Sequence, residues 1–394
     1  MSEDMHPRKV LFLTGTRADF GKLKPLILGV QQSPGFDSRV FATGLHMLER
    51  YGSTVYEIEK AGCRPVYPFI NQDGTVSSQM DLVLANTVTG LGHYVREFRP
   101  DLMIVHGDRV EALAGAIVGA LNNVLVGHVE GGEVSGTIDE VLRHAVTKLS
   151  HVHFVANEEA RARLIQMGEQ AGSIFVIGSP DIDVMLSGTL PLLEQVRAKY
   201  DIPFDRYVIL MYHPVTTELA TLRARTRAVL AGLQASGRNV VAIFPNNDSG
   251  SEQILGELEP WARQPHVRLL PSMRFEYFLT LLRHAEAIVG NSSAGIREAP
   301  VYGVATVNIG SRQQNRFHGP SIINVPDDAA AITRALDHLD ARPEPSFHFG
   351  TGNSAVLFLQ ALAGDQLWRT SPQKQFCDLQ GAWLAFQPSA GIPE

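Results

Sequence analysis

The 394-residue chain sets 34 Lys and Arg against 41 Asp and Glu, a formal net charge of -7, and is 44% apolar and 19% charged. That balance offers no basic face for nucleic acid, and no window holds the roughly 18 uninterrupted apolar residues of a membrane helix, so neither partner is expected. The length suits two domains of about 150 to 200 residues better than one core.

The start, MSEDMHPRKVLFLTGTR, has too short an apolar run for a signal peptide and fits a first strand. Cys63 and Cys377 stand far apart without a CxxC, so a reducing cytoplasm is expected. In chain order, KVLFLTG, SRVFATG, LMIVHGD, VLVGHVE, HFVAN and IFVIGSP are apolar runs closed by Gly, Pro or polar residues and separated by helical spacing. This is the pattern of parallel βα units. After a connecting helix within SGTLPLLEQVRAKYDIPF, a second series follows: YVILMYHP, VVAIFPN, VRLLP, EAIVGNSS, ATVNIG and INVP. The expectation is an α/β protein of two doubly wound Rossmann-like domains, 1–185 and 204–370, joined by a linker at 186–203. An extension, 371–394, is expected to pack back on the first domain.

Ligands of open α/β sheets bind beyond the carboxyl ends of the strands. In TGTRADFGKLKPL, Arg17 and Lys22 follow the first strand; free amides and two cations there fit an anion seat, and equally a plain βα turn. Asp108, after LMIVHG, reads alone as a helix cap, but a second strand ends in the same way at His128 and Glu130. In HVEGGEVSGTIDEVLRHAVTKLSHVHF, Asp139 and Arg143 share one helix face, as do Glu140 and His144. Surface ion pairs would explain both pairs, and the histidines lack a zinc-ligand spacing. His213, held beyond a buried strand by Pro214, is a further candidate. GNSSAGIREAPVYG opens a helix with Ser292 and Ser293 and places Glu298 about one turn in, ahead of Arg312 and Arg316. Hydroxyls and helix amides suit phosphate, and a carboxylate suits a ribose diol.

Together GTRADFGKLKPL, HGDRVEALAGA, HVEGGEVSGTIDEVLRHAVTKLSH, IGSPDIDVM, HPVTT and GNSSAGIRE strongly resemble the hydrolysing UDP-N-acetylglucosamine 2-epimerases of sialic-acid biosynthesis. The resemblance implies the two-domain fold called glycosyltransferase B, with an interdomain cleft. It implies release of UDP by elimination to a glycal, then water addition giving N-acetylmannosamine, with no metal or other cofactor. It further implies acid-base or leaving-group roles for Asp108, Glu130, Asp139 and a protonated His213. Arg17 and Lys22 are expected near the diphosphate, Ser292 and Ser293 on phosphate oxygens, Glu298 on the ribose, and Arg312 and Arg316 near the nucleotide. Arg143 is expected as a support, and Asn247, Ser272 and Phe275 complete the expected binding set. The HVEGGEVSGTIDE turn matches the hydrolysing branch, a UDP-2,4-diacetamido-trideoxyhexose is an alternative substrate, and a glycosyltransferase of the same fold an alternative activity. A homodimer or homotetramer is the expected assembly.

Overall fold

The computed structural model describes residues 6–73, 79–135, 138–245, 248–313, 315–339 and 342–378. The first sheet contains β1 (Arg8–Thr14), β2 (Phe36–Ala42), β3 (Val66–Pro68), β4 (Leu102–His106), β5 (Leu125–Val129), β6 (Val152–Val155) and β7 (Ile174–Val176), in the order β3-β2-β1-β4-β5-β6-β7. The second contains β8 (Val208–Met211), β9 (Val240–Ile243), β10 (Val267–Leu270), β11 (Ala287–Gly290), β12 (Ala305–Ile309) and β13 (Ile322–Val325), in the order β10-β9-β8-β11-β12-β13. All these pairings are parallel. The apolar runs coincide with these strands except β3, whose short VYP sits half exposed at a sheet edge and carries no readable pattern.

Strand geometry explains why the runs are apolar throughout. In β1, Val10 and Phe12 face one core, beside Leu23 and Leu26 of the helix Arg17–Gln31. Leu11 and Leu13 face another, beside Leu91 of the helix Met80–Phe98 and Ala112 of the helix Val110–Leu121. Successive side chains alternate between two covered faces, so both must be apolar. Strand order reverses between β1 and β4 and again between β8 and β11, and a crevice forms at such a switch point. Among the described residues, no helix is long and apolar enough to cross a membrane.

The helix Ser354–Ala363, placed with the second domain by the sequence reading, packs in the first. Phe358 is fully buried there, its ring centroid 4.7 Å from that of Phe154, and Ala361, Leu362 and Leu367 join the same core. An apolar helix face announces that it will be buried but not against which sheet, which is why the 204–370 span took in too much. Ile182, Met185 and Val196, by contrast, belong to the core of the second domain. Residues 371–378 lie on the first domain. There Lys374 Nζ is 2.5 Å from Glu169 Oε2, and His151 Nε2 is 3.0 Å from the Pro372 carbonyl.

The chain therefore crosses between domains twice, and the crossings touch. Ser179 N donates to the Phe349 carbonyl at 2.7 Å, and Asp183 accepts from the amides of Ser354 and Ala355 at 2.9 and 2.8 Å.

Candidate functional site

A cleft of about 1430 Å³ lies between the sheets, lined from one side by residues following β1, β4 and β5 and from the other by residues following β8, β11 and β12. At the β1 end the chain caps the helix Arg17–Gln31 with its own side chains. Asp19 accepts from Gly15 N at 2.9 Å and Thr16 N at 3.0 Å, while Thr16 caps Asp19 N in return. The Thr16 hydroxyl and the Asp19 carboxylate thus form a reciprocal capping box at the helix start. Arg17 binds Glu57 at 2.7 and 2.9 Å and contacts Ser272 of the second domain. Phe275 lies hard against the same helix: a Cβ added to Gly21 would come within 2.6 Å of its ring.

Glu130 ends β5 with φ of 66°, a left-handed conformation costing a non-glycine residue on the order of 1–3 kcal/mol. This turn sends its carboxylate into a buried nest of charges. Arg297 Nη2 is 2.6 Å from Oε1, Lys22 Nζ is 3.5 Å from Oε2, and Ser179 Oγ contacts Oε1. His106 Nε2 approaches Oε2 to 3.1 Å without hydrogen-bond geometry. Burial alone would raise the carboxyl pKa of Glu130; Arg297, Lys22 and His106 more than reverse this and hold it well below the usual range. Lys22, expected near a diphosphate, stands 3.4 Å from Asp181 and 3.6 Å from Glu298 as well. Burial opposes its charge, but these carboxylates raise its pKa and keep it an ammonium.

A second cluster joins β4 to the helix Ile138–Leu149. Arg143, 2% exposed, turns away from a surface pairing and grips Asp108, with Ser135 Oγ at 3.2 Å. Burial would raise Asp108; Arg143, then Arg316, bring it down to about 2. Asp139 accepts from Arg312 Nη2 at 3.0 Å across the cleft, yet burial and the charge of Asp108 raise its pKa above the ordinary value. Glu140 and His144 form the half-exposed pair expected of them, 3.4 Å apart. His128, His151 and His153 are buried in or beside the strands: His128 Nε2 is 2.8 Å from the Gly107 carbonyl, and His153 Nε2 is 2.9 Å from Glu169.

The second domain supplies the opposite wall. Gly290, at φ of 131°, ends β11 where a Cβ would stand 2.0 Å from the Met211 carbonyl, so only glycine lets the strand end lie so close to β8. Asn291 then locks the backbone of His213, accepting from its N–H at 2.7 Å and donating to its carbonyl at 2.9 Å. Burial, with Arg312 adding to it, holds His213 far below its ordinary pKa. Burial first, and then the charge of Arg312, thus work against the expected imidazolium.

Ser292 and Ser293 lead into the helix Ala294–Val301, and Ser292 Oγ accepts from Ala294 N at 3.3 Å. On that helix Glu298 is buried with Oε2 lacking a hydrogen-bond partner, and burial pushes its carboxyl pKa up. Arg316 Nε donates to the Val134 carbonyl at 2.7 Å, and burial with Arg143 lowers its pKa to about 10. Asn247 lies outside the described residues.

The cleft thus gathers the other expected residues and adds Arg297, Glu133 and His106, while Ser179 and Asp181 contact its buried charges from outside the lining; the sequence alone assigned none of the five a role. A signal existed for some of them. Ser179 and Asp181 follow β7 at a strand end, and Arg297 stands beside Glu298 in a helix otherwise made of apolar residues and Gly. Among the described residues, no group of three or more His, Cys, Asp or Glu is placed to hold a metal ion.

Two parallel-sheet Rossmann-like domains facing each other across a cleft, with strand-end acids on one wall and a serine-led helix on the other, define the glycosyltransferase-B architecture. A family model described as UDP-N-acetylglucosamine 2-epimerase matches residues 29–363, and the chain belongs to this family. A UDP-N-acetylglucosamine 2-epimerase of Neisseria meningitidis serogroup B is 45% identical over 377 residues, covering 94% of this chain and 99% of that protein. A UDP-N,N'-diacetylbacillosamine 2-epimerase (hydrolyzing) of Legionella pneumophila is 32% identical over 360 residues, covering 90% and 95%. In fold, the UDP-GlcNAc 2-epimerase of Methanocaldococcus jannaschii, solved with UDP-GlcNAc and UDP, superposes with a TM-score of 0.78 at 21% identity, covering 90% of this chain and 99% of that one.

Proposed function

We propose that this protein is a hydrolysing UDP-N-acetylglucosamine 2-epimerase, releasing UDP and N-acetylmannosamine for sialic-acid or capsule synthesis in the cytoplasm. The observation that carries the reading is the pair of carboxyls in the cleft, Asp108 gripped by Arg143 and Asp139 by Arg312 from the opposite wall at 3.0 Å, with the pKa of Asp108 lowered to about 2 and that of Asp139 raised. Carboxylates pushed apart in this way can supply a base and an acid in one site.

In the first step a base removes the proton at C2. The electron pair forms the C1–C2 double bond of the glycal, and the C1–O bond breaks towards the β-phosphate of UDP. Water then adds its hydroxyl to C1, and C2 receives a proton on the opposite face. Asp108, Glu130 and Asp139 share these transfers as a coupled group. Arg312, Arg316, Arg17, the serine hydroxyls and the neutral His213 N–H are suited to receive charge developing on the departing phosphate. The orphaned Oε2 of Glu298 suits a ribose hydroxyl, a partner that would satisfy a buried acceptor. The HVEGGEVSGTIDE turn and the Legionella relative's hydrolyzing activity support release of the sugar over its return to UDP.

The test is NMR of the products formed from UDP-N-acetylglucosamine in heavy water. Free N-acetylmannosamine carrying deuterium at C2, with one UDP per sugar, is expected. A UDP-linked epimer without UDP release would replace this reading with the non-hydrolysing one. The same Legionella relative favours a second substrate, UDP-N,N'-diacetylbacillosamine, and side-by-side turnover of the two nucleotides decides between them.

A further inference from the structure

Arg297 belongs to the second domain, next to Glu298 and one turn beyond Ser292 and Ser293, yet its guanidinium is 2% exposed among acids of the first. One amino group reaches Glu130 Oε1 at 2.6 Å and contacts Ser179 Oγ, while the other contacts Glu133 Oε1. The ring of Phe349, at the second chain crossing, lies 4.8 Å from the guanidinium carbon. One short helix thus carries both the residues suited to a nucleotide and the fork that grips Glu130.

We propose that Arg297 is a positioning residue, which fixes the orientation of Glu130 when the nucleotide-bearing helix of the second domain is seated against the first. The inference rests on the reading of Glu130 as one of the acid-base groups. Two arrangements distinguish it from a tie that merely holds the domains together. Among the described residues of the first domain, Glu130 meets Lys22 at 3.5 Å, His106 at 3.1 Å and the hydroxyl of Ser179, so that a guanidinium paired to it within hydrogen-bond distance comes from the second domain. Second, the planar fork bridges Glu130 and Glu133, fixing an angle that a point charge would leave free.

The charged and titratable groups facing Glu130 are Lys22, His106, Glu133, Asp181, Arg297 and Glu298. Burial favours the protonated form, and Arg297 is first among the cations opposing it. Removing that cation moves the Glu130 pKa upward.

Full-length Arg297→Met and Arg297→Lys, assayed for UDP release from pH 5 to 9 and for UDP binding by calorimetry, test the proposal. For Arg297→Met, kcat is expected to fall about 100-fold, the scale of a misplaced reacting group, with UDP affinity within about threefold of the parent. The acid limb of kcat/KM moves to higher pH, and Arg297→Lys recovers part of kcat. An unchanged kcat, a loss of UDP affinity in step with kcat, or an acid limb that stays in place overturns the proposal. Should Arg297→Met not fold, the pH profile of Arg297→Lys decides alone, a shift supporting the proposal and none overturning it. A parent enzyme that releases no UDP sinks the functional reading, whereas an active parent with an equally active Arg297→Met sinks only this inference.

Discussion

The two acid clusters of the cleft face the same space and behave differently. Around Glu130 the charges are buried and interlocked, with two cations, Lys22 and Arg297, set among four acids, Glu130, Glu133, Asp181 and Glu298. Around Asp108 and Asp139 the carboxyls are more open, their side chains 28% and 25% exposed, and their pKa values are driven in opposite directions. At Glu130 adjoining cations hold the carboxylate ionised, whereas at Asp108 and Asp139 two like groups are driven apart. Removing Lys22 from the first cluster should therefore cost mainly structure and breaking the second mainly rate, while Arg297, through its grip on Glu130, is the member of the first cluster expected to affect rate.

The sharpest test of the contrast is Asp139→Asn. Losing an acid-base group is expected to lower kcat by about 10²- to 10⁴-fold, with UDP affinity and melting temperature near the parent's; an equal loss of UDP binding would erase the distinction. Lys22→Met should do the reverse to stability, since removing one partner of a buried ion cluster costs about 3–5 kcal/mol, read from the urea midpoint.

Acid separates the clusters more gently. Asp108 and Glu169 both have pKa values lowered to about 2, from 3.8 and 4.5, so the stability each contributes is complete above its ordinary value and drains away as pH falls towards 2. Asp139, raised by burial, has the opposite sign and opposes unfolding as it takes up its proton. Urea midpoints should hold from pH 7 to about 5 and decline below 4.5; a decline already complete at pH 5 would place the sensitive groups elsewhere. The smallest effect belongs to Lys24→Ala. Its pair with Glu276 spans the domains at 2.6 Å but is about a quarter exposed at both ends, and about 1 kcal/mol or less is expected.

Much of this architecture was legible because apolar runs and strand-end polar residues are local signals. Asp108, Glu130 and His213 were readable as strand-end groups for that reason. What the sequence could not show was pairing. Asp139 and Arg143 lie one turn apart on a helix, and the structure sends one to Arg312 and the other to Asp108. Arg297 was hidden because its partners are some 165 residues away in sequence, 164 to Glu133 and 167 to Glu130. The lowered pKa of His213 was not readable because burial, and then the charge of Arg312, belong to the folded cleft and not to the HPVTT motif. Asp19 shows the reverse: its capping box with Thr16 spans only four residues and is a local signal in TGTRAD.

The return of the helix Ser354–Ala363 to the first core has a consequence for how the molecule is made. Phe358 and Leu367 fill space between elements synthesised more than 180 residues earlier, so the half that leaves the ribosome first remains an open shell while the other half is translated. Domains generally mature in order of synthesis, but here the later one can complete its packing first and then carry the missing wedge back to its predecessor. A nascent chain arrested before residue 354 should accordingly display a protease-resistant second domain attached to a protease-sensitive first.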